Sequence, residues 1–295
     1  MTTDARIRHP RCEVDIVEHC NLACRSCSHL SPVLPRYELA AEDLHRDLSR
    51  LWEHYATNAV ALLGGEPLLH RDLVGVIEAA KAAVAPAKVS VVTNGTLLPK
   101  MSEAFWKAID GVQVCLYAGH ALSREELRAC RDRAKRYEVA MVVTRIVEFR
   151  ESYSELGTGD DALVAEIYGA CTLRHAHSIA RGRFNKCPQS YFLPKVVESL
   201  GGAEYGVELD GEPDLGARLR AHLAEEEPMA ACRNCLGTAG RRFTQAQVPR
   251  REFREHGRRT TEELLDRRRL RPPSRMRNRL KLISPSYYRH ERRLL

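Results

Sequence analysis

The chain has 295 residues, a net charge of +7 and 44% hydrophobic residues, enough apolar material for a large core and a smaller appendage. No apolar stretch approaches membrane-spanning length and residues 1–6 have no hydrophobic signal core, so we predict a cytoplasmic protein rather than a secreted or membrane protein. In a reducing compartment the ten cysteines are expected to be metal ligands and free thiols instead of disulfides.

The first predicted strand, residues 13–17, leads into a loop with three closely spaced cysteines. These are Cys20, Cys24 and Cys27. Three thiolates on one loop can hold three corners of an iron-sulfur cube and leave the fourth iron open to a cofactor. Two other interpretations stay open: a zinc site completed by His19 or His29, and a set of buried thiols.

Beyond this loop, strand-like and helix-like segments alternate, which is typical of a parallel sheet with crossover helices. Period-2 or apolar runs predict strands at 13–17, 60–63, 89–93, 112–116 and 139–143. Apolar residues at helical spacing predict helices at 39–55, 72–83, 103–109 and 124–137. The first half of the chain is therefore predicted to be an α/β unit.

Two polar or glycine-rich segments follow the second and third predicted strands. They are Gly64, Gly65, Glu66 and Pro67, and then Thr93 and Asn94. Two glycines let a backbone approach a ligand, and a glutamate offers an acceptor for an amine. Taken alone, each segment is equally well interpreted as an ordinary turn. Because the carboxyl ends of parallel strands meet at one rim, we expect both segments and the cysteine loop at the same end of the sheet.

In this order, the C-x3-C-x2-C loop and the two following segments resemble the motifs of the radical S-adenosylmethionine (SAM) superfamily. The resemblance implies a [4Fe-4S] cluster on the three loop cysteines, SAM on the open iron, Gly64 to Pro67 at its methionine end, and Thr93 and Asn94 near its ribose or carboxylate. It also implies a partial (β/α)6 barrel over residues 1–165, with the sixth strand within 151–170. One departure is Ser26, which occupies a position that is often aromatic in the superfamily.

Four further cysteines follow the predicted barrel: Cys171, Cys187, Cys232 and Cys235. Between the first two, Arg181-Gly182 can turn a short hairpin over 178–184 that brings Cys171 and Cys187 together. This layout resembles the Twitch module, the shortened form of the SPASM module, which implies a second [4Fe-4S] cluster within residues 166–245. A structural zinc site and unrelated buried thiols remain alternatives.

The layout narrows the expected substrate. The first strand begins close to residue 1, so no leader-peptide-binding domain is expected before it, and the cysteines are too few for two auxiliary clusters. The chain resembles 2-deoxy-scyllo-inosamine dehydrogenase-like enzymes. This resemblance implies a radical SAM oxidoreductase of natural-product biosynthesis that dehydrogenates an alcohol of a small sugar or aminocyclitol, with a flavodoxin- or ferredoxin-type reductant.

A sugar epimerase is the alternative, because it uses the same hydrogen abstraction and then returns a hydrogen atom from a thiol. Cys115, near the end of the fourth strand, is the candidate donor, with a packed strand residue as the other interpretation. Arg145, after the fifth strand, can pair with the SAM carboxylate through its guanidinium fork, or it is a solvent-facing charge. Gln189 can reach substrate beside the second cluster, or it is an ordinary surface glutamine.

The charge is distributed unevenly along the chain. From Arg241 onward there are 18 Lys or Arg and 6 Asp or Glu, whereas the preceding part carries a net charge of −5. We predict a basic, solvated tail over residues 246–295, in which Arg267–Arg269 and residues 275–281 can attract phosphate groups. Nucleic-acid modification is disfavoured because no RNA-binding domain is recognisable and the barrel part is acidic. Peptide modification is disfavoured as well.

Overall fold

The computed structural model describes residues 6–211 and 213–270. Strands and helices alternate through the first half: β1 (Ile7–Val17), α1 (Ala41–Trp52), β2 (Tyr55–Gly64), α2 (Leu73–Val84), β3 (Lys88–Thr93), α3 (Glu103–Ala108), β4 (Gly111–Tyr117), α4 (Arg124–Arg136) and β5 (Ala140–Ile146). The second half has shorter elements: β6 (Glu148–Arg150), α5 (Asp161–Ala170), β7 (Ser178–Ala180), β8 (Arg183–Asn185), α6 (Pro188–Phe192), β9 (Val207–Glu208), α7 (Leu215–Ala224), β10 (Arg242–Thr244) and α8 (Thr261–Leu264).

Short 3-10 helices connect these elements. They lie at Pro67–Leu69, Leu98–Lys100, Leu173–His175, Leu193–Lys195, Glu198–Leu200, Ala230–Arg233, Arg250–Gly257 and Arg267–Arg269. None of the helices in the described ranges has the length and hydrophobicity needed to cross a membrane.

The first five strands form a parallel sheet in the order β5-β4-β3-β2-β1, which confirms the predicted α/β fold. Strand β1 starts at Ile7, well before the predicted residue 13, and Ile7 is in register with Tyr55 of β2. Its first half carries arginine and histidine side chains, which hide the apolar pattern of a strand. The predicted helices and the other four strands are found within a few residues of their expected positions.

The two faces of this sheet are different, because successive side chains of a strand point to opposite sides. The outer face is apolar and packs against the helices, with Val14, Ile16, Val60, Leu62, Val91, Val112 and Val114 in one core with residues of α1, α2 and α3. The inner face is largely polar although it is buried. It carries Arg11, Glu13, Asp15, Gln113 and Cys115. A buried polar face of this kind is suited to a ligand rather than to packing alone.

The predicted sixth strand within 151–170 is wrong. That stretch contains α5, whose buried residues Leu163, Val164, Ile167 and Tyr168 follow helical spacing. The Asp160 side chain caps the helix by accepting from the amides of Ala162 and Leu163. The sixth parallel position is instead taken by β7, which pairs with the free edge of β1 through Glu13↔Ser178 and Val14↔Ile179.

The hairpin predicted over 178–184 is present as β7 and β8, with Arg181 and Gly182 at positive φ in its turn. Strand β9 adds to β8, so the main sheet has eight strands in the order β5-β4-β3-β2-β1-β7-β8-β9. Ile179, Phe184 and Val207 join the core of the barrel. This part of the predicted second module therefore extends the sheet of the first.

The predicted basic tail is packed into the fold over its first part. Phe253 lies in a small core with Leu30, Tyr153 and Phe192, and Leu264 lies in another with Ile167. Strand β10 pairs antiparallel with β6 in a separate two-stranded sheet. Residues 275–281, the other half of that prediction, lie outside the described residues.

Candidate functional site

The cysteine loop and the two segments predicted to accompany it follow adjacent strands. The loop follows β1, Gly64 ends β2 and precedes Gly65, Glu66 and Pro67, and Thr93 ends β3 and precedes Asn94. These carboxyl ends lie side by side in the sheet, as expected for parallel strands.

The two glycines after β2 pack tightly against the start of the cysteine loop. A Cβ atom on Gly64 would lie 2.0 Å from the Val17 carbonyl oxygen, and one on Gly65 would lie 2.0 Å from the His19 oxygen. The Gly65 amide donates to Val17 O at 2.9 Å, and the Glu66 amide donates to His19 O at 3.0 Å. Close packing against the cysteine loop therefore requires glycine at both positions, in addition to any role of these residues in binding a ligand.

Glu66 is fully buried and connects β2 to the end of β3. Its carboxylate accepts from Thr93 Oγ1 at 2.6 Å, from the Asn94 amide at 2.8 Å and from the Leu68 amide at 3.0 Å. Burial raises the pKa of Glu66 to about 7, and these three hydrogen bonds oppose the shift. Because a carboxylate has about four acceptor positions, about one position is left for an amine.

Asn94 is held against the cysteine loop by its side chain. Its Nδ2 donates to Asn21 Oδ1 at 2.8 Å and lies 3.8 Å from Cys20 Sγ, while its Oδ1 accepts from the Thr96 amide at 3.0 Å. Thr93 and Asn94, both predicted to contact SAM, therefore also fix the loop that carries the first cysteine.

Nitrogen donors surround two of the loop sulfurs. The Leu22 amide lies 3.4 Å from Cys20 Sγ, and the side-chain amides of Gln247 and Gln245 lie 3.0 and 3.5 Å from Cys24 Sγ. Burial raises the pKa of Cys20 to about 12 and that of Cys24 to about 11, so iron or another cation is needed to keep them as thiolates. This donor set fits an iron-sulfur cluster, whose sulfurs are commonly hydrogen-bonded.

A segment from the far end of the chain covers this loop, a contact that was not predicted from the sequence. We call residues 245–250 the strap. Its further contacts are Arg25 N to Ala246 O (3.0 Å), Val248 N to Ala23 O (2.9 Å), Arg250 to Pro32 O (3.1 Å) and Arg250 to the Cys20 oxygen. Two glutamines at alternate positions are the one available signal, and such spacing is too common to identify a contact.

Ser26 shows why an aromatic residue is absent at this point of the loop. Its backbone has a φ of 52°, and its hydroxyl donates to the Glu151 carboxylate, which also binds the Arg25 guanidinium. Arg25 in turn stacks on the Phe243 ring at 4.2 Å. A small polar side chain is therefore tied to Glu151, a residue that sequence reasoning did not single out.

The four later cysteines come from separate segments and are brought together. They are Cys171 after α5, Cys187 before α6, Cys232 in the 3-10 helix Ala230–Arg233, and Cys235 just beyond it. Burial, and then repulsion between neighbouring thiolates, raises the pKa of Cys187 to about 12 and that of Cys235 well above its usual value. Within the described ranges, no three His, Cys, Asp or Glu side chains are close enough to hold one metal ion.

Gly237 supplies the room that this second group requires. A Cβ atom at Gly237, whose φ is 51°, would lie 2.8 Å from Cys171 Sγ. The Gly237 amide donates to Cys235 Sγ at 3.3 Å. A glycine that leaves space beside one thiol and donates to another fits a bound cluster.

A buried carboxylate links the two groups of cysteines. Glu18, two residues before Cys20, accepts two hydrogen bonds from Arg181, at 2.9 and 3.0 Å, and one from the Tyr191 hydroxyl at 2.6 Å. Lys195 Nζ lies 3.9 Å from the same carboxylate. Because Tyr191 belongs to the helix that follows Cys187, its hydrogen bond to Glu18 connects the second group of cysteines to the first loop.

Cys115 lies on the inner face of the sheet, opposite the apolar core. Burial raises its pKa to about 11, and the Glu66 carboxylate adds to the shift. On the neighbouring strand β5, Cys115 is in register with Thr144. The Thr144 hydroxyl is buried without a hydrogen-bond partner among residues 6–211 and 213–270. The other spare thiols, Cys12 and Cys130, pack in the outer core.

The structure does not place Arg145 at the site. Arg145 is in register with Leu116, and Leu116 packs in the outer core, so the arginine lies on the outer face and is exposed. A strand alternates at every residue, and the prediction was wrong by one position. The neighbouring Thr144 faces inward, in register with Cys115.

Gln189 is buried beside Cys187 with its amide unused. It is 2% exposed, and neither its Oε1 nor its Nε2 has a hydrogen-bond partner in the described part of the chain. An unpaired buried amide is costly, so a polar ligand at this position would stabilise the protein.

Asp15 is a second unused polar group, on the inner face of β1. It is 2% exposed, and neither carboxyl oxygen has a hydrogen-bond partner among the described residues, although His29 Nε2 lies 3.4 Å from Oδ1. Burial and repulsion by Glu13 and Glu18 raise its pKa well above the usual range. Burial lowers the pKa of His29 to about 4, so the ring is neutral near pH 7.

Residues 14–152 match the family model described as the Radical SAM superfamily. This range contains the cysteine loop, the segment after β2 and the end of β3. This part of the chain is therefore a radical SAM domain, and the family implies a [4Fe-4S] cluster and SAM for it.

Several curated relatives are cyclases. The GTP 3',8-cyclase of Stenotrophomonas maltophilia is 31% identical over 122 residues, covering 40% of this chain and 36% of the relative. The probable GTP 3',8-cyclase of Methanopyrus kandleri is 36% identical over 104 residues, covering 35% and 33%. Molybdenum cofactor biosynthesis protein 1 of Drosophila melanogaster is 26% identical over 111 residues, covering 37% and 20%. The chain thus spans about a third or less of the length of these relatives.

Solved structures of other proteins resemble this one only distantly. BtrN in complex with AdoMet and 2-DOIA has a TM-score of 0.45 and 16% identity, covering 79% of this chain and 95% of that chain. Methylornithine synthase (PylB) has a TM-score of 0.34 and 16% identity, covering 48% and 45%. At these values, neither likeness bears on the substrate.

Proposed function

We propose that this protein is a radical SAM dehydrogenase that oxidises a ring alcohol of an amine-bearing sugar or aminocyclitol. The observation that carries the proposal is the second group of four cysteines, gathered from Cys171 to Cys235 beside the radical SAM domain. Four thiolates can occupy all four irons of a [4Fe-4S] cluster and leave none for substrate, which suits a cluster that accepts an electron.

Oxidation of the alcohol requires acceptors for a hydrogen atom, a proton and an electron, and the chain offers candidates for the first and the last. Cys20, Cys24 and Cys27 would hold a cluster that binds SAM, and this pair would supply the radical chemistry that removes a hydrogen atom from carbon. Oxidation to a ketone then requires the loss of the hydroxyl proton and one electron. The second cysteine group is our candidate for receiving the electron, and a flavodoxin- or ferredoxin-type protein is our candidate for reducing the first cluster.

The residues at the rim would position SAM. The remaining acceptor position on Glu66 suits the methionine amine, while Gly64 to Pro67 and Asn94 hold the adjoining loops in a fixed arrangement. Preorganisation of this kind keeps the reacting atoms at a set separation.

The inner face offers a hydrogen-bond acceptor to an amine-bearing substrate. Both carboxyl oxygens of Asp15 are buried without a hydrogen-bond partner among the described residues, so Asp15 can accept from an amine group. The unused amide of Gln189 can in addition hydrogen-bond a substrate hydroxyl.

An epimerase is the second candidate, and the position of Cys115 favours it. Its buried thiol lies on the inner face, where a hydrogen atom could be returned to a substrate carbon. Epimerisation leaves no net oxidation, so it gives no use to an electron-accepting second cluster.

Turnover in heavy water distinguishes these functions. Anaerobically reconstituted enzyme is incubated with SAM, a strong reductant and a panel of aminocyclitols and amino sugars, with GTP as the comparison compound. A product lighter by two hydrogens supports the dehydrogenase, whereas solvent deuterium at an inverted carbon supports the epimerase. Conversion of GTP to a cyclised product, with no change in any amine-bearing alcohol, would overturn the proposal.

A further inference from the structure

We propose that Gln247, assisted by Gln245, is a positioning residue that hydrogen-bonds the cluster-binding sulfur of Cys24 and raises the reduction potential of the first cluster. This inference goes beyond the proposed function, because it requires the radical SAM cluster but no particular substrate. It assigns a role to the strap, residues 245–250, in which Gln247 lies 223 residues beyond Cys24 along the chain.

The orientation of the Gln247 amide is fixed by its two partners. Its Oε1 accepts from the Ala23 amide at 2.7 Å, and a backbone N–H can only donate. The other end of the group, Nε2, must then be the atom that lies 3.0 Å from Cys24 Sγ. The contact is therefore a hydrogen bond from nitrogen to sulfur.

The backbone holds Gln247 in place independently of its side chain. Cys24 and Gln247 form an antiparallel bridge, flanked by Arg25 N to Ala246 O at 3.0 Å and Val248 N to Ala23 O at 2.9 Å. The donor is thus presented to the sulfur by a pair of extended segments.

Gln245 adds a second, longer contact to the same sulfur. Its Nε2 lies 3.5 Å from Cys24 Sγ, and the residue is 3% exposed. Its other amide atom, Oε1, has no hydrogen-bond partner within the described residues. Replacement of Gln245 therefore removes a sulfur contact without breaking another bond.

Hydrogen bonds to cluster sulfurs stabilise the negative charge that the cluster gains on reduction. At Cys20 the donors lie near the site itself, the Leu22 amide at 3.4 Å and Asn94 Nδ2 at 3.8 Å. At Cys24 two side-chain donors come from the strap, in a buried setting where such bonds are strong. Loss of these donors should make the cluster harder to reduce.

A set of four variants tests the proposal. Q247E keeps the acceptor for Ala23 but places an oxygen against the sulfur, Q247L removes both contacts, and Q245L removes only the longer one. R242Q is the control, because exposed Arg242 lies just before the strap and contacts Glu148 at 3.2 Å rather than a sulfur. Each reconstituted protein is titrated potentiometrically, following the electron paramagnetic resonance signal that changes when SAM is added.

We expect the ratio of reduced to oxidised first cluster at a fixed potential to fall about tenfold in Q247L, which corresponds to a potential about 59 mV lower. This ratio should fall further in Q247E and less in Q245L, and in R242Q it should equal the wild-type value. Wild-type potentials in Q247E, Q247L and Q245L would overturn the proposal, as would an equal shift in R242Q. If a Gln247 variant fails to fold, as judged by circular dichroism, Q245L and R242Q still decide the result.

Discussion

The two groups of cysteines are built in opposite ways. Cys20, Cys24 and Cys27 lie within eight residues of one loop, which is fixed by the ends of β2 and β3 and by the strap. Cys171, Cys187, Cys232 and Cys235 come from three separate segments and meet only when the chain has folded. Cysteines on one short loop can therefore be recognised as a cluster motif from the sequence, whereas cysteines from distant segments can be recognised as one group only from the tertiary structure.

Replacing one cysteine in each group should have the largest effect on iron content and on SAM cleavage, and the two variants should differ in SAM cleavage. C24A and C235A should each lower the iron content from about eight to about four atoms per chain, if each group holds one cube. Only C24A should abolish 5'-deoxyadenosine, because SAM cleavage needs the first cluster alone. C235A should still cleave SAM but form no oxidised product.

The control for this pair is C130A, which removes a thiol from the outer core and should retain all of the iron. Iron analysis and quantification of 5'-deoxyadenosine measure the two quantities. Complete loss of SAM cleavage in C235A would mean that the two groups do not act separately.

The glycines give a matched pair of steric tests. In G65A the new Cβ would meet the His19 oxygen at 2.0 Å, and in G237A it would meet Cys171 Sγ at 2.8 Å. We expect G65A to lose most of the SAM-responsive signal and G237A to lose most of the iron of the second group. G159A is the control, because nothing lies within 4 Å of its Cβ. Full iron content in both variants would contradict the inference that Gly65 and Gly237 leave the space that the two cysteine groups need.

Glu66 is expected to have a smaller effect, on stability rather than on iron. E66A leaves the three donors from Thr93, Asn94 and Leu68 without their partner, which should lower the free energy of unfolding by about 3 kcal/mol. E66Q keeps one carbonyl oxygen and should lose about half as much. Anaerobic urea denaturation measures both, and an equal loss in the two variants would argue against the hydrogen bonds as the cause.

The smallest effect concerns His177, which lies between Cys171 and Cys187. Burial, and then the proximity of other histidines and of Lys186, lowers its pKa to about 2 from 6.5. As the pH falls below 6.5, the unfolded chain binds a proton that the folded protein does not, so stability decreases on acidification. Between pH 7.5 and 5.5 this loss is about 1.4 kcal/mol.

H177Q removes this titration while keeping an acceptor near the Tyr55 hydroxyl, which lies 2.8 Å from the histidine Nδ1. The variant should therefore lose about 1.4 kcal/mol less than the wild type over that range. Thermal unfolding at the two pH values provides the measurement, and parallel losses in both proteins would assign the acid sensitivity to other groups.

The sequence was most informative where one feature dominated the local pattern. Strands β2, β3 and β4 have apolar runs that are buried on the helix side, and the polar residues at their ends predicted the rim on which the cysteine loop lies. The hairpin at Arg181 and Gly182 was predictable because a two-residue turn with positive φ favours glycine.

The features that the sequence hid depend on contacts between distant segments. The pairing of β7 with β1 requires a free sheet edge, which no local pattern reports. The strap reaches Cys24 through backbone bridges and two common glutamines. Arg145 was misplaced because a shift of one residue exchanges the two faces of a strand.

The strap has a consequence for how the protein matures in the cell. Cys24 leaves the ribosome 223 residues before Gln247, which at about 5–20 residues per second is a delay of about 11–45 s. During that interval the loop lacks the strap. Once the strap has folded onto the loop, Cys24 is only 8% exposed, so a cluster installed early meets a more accessible sulfur than one installed late.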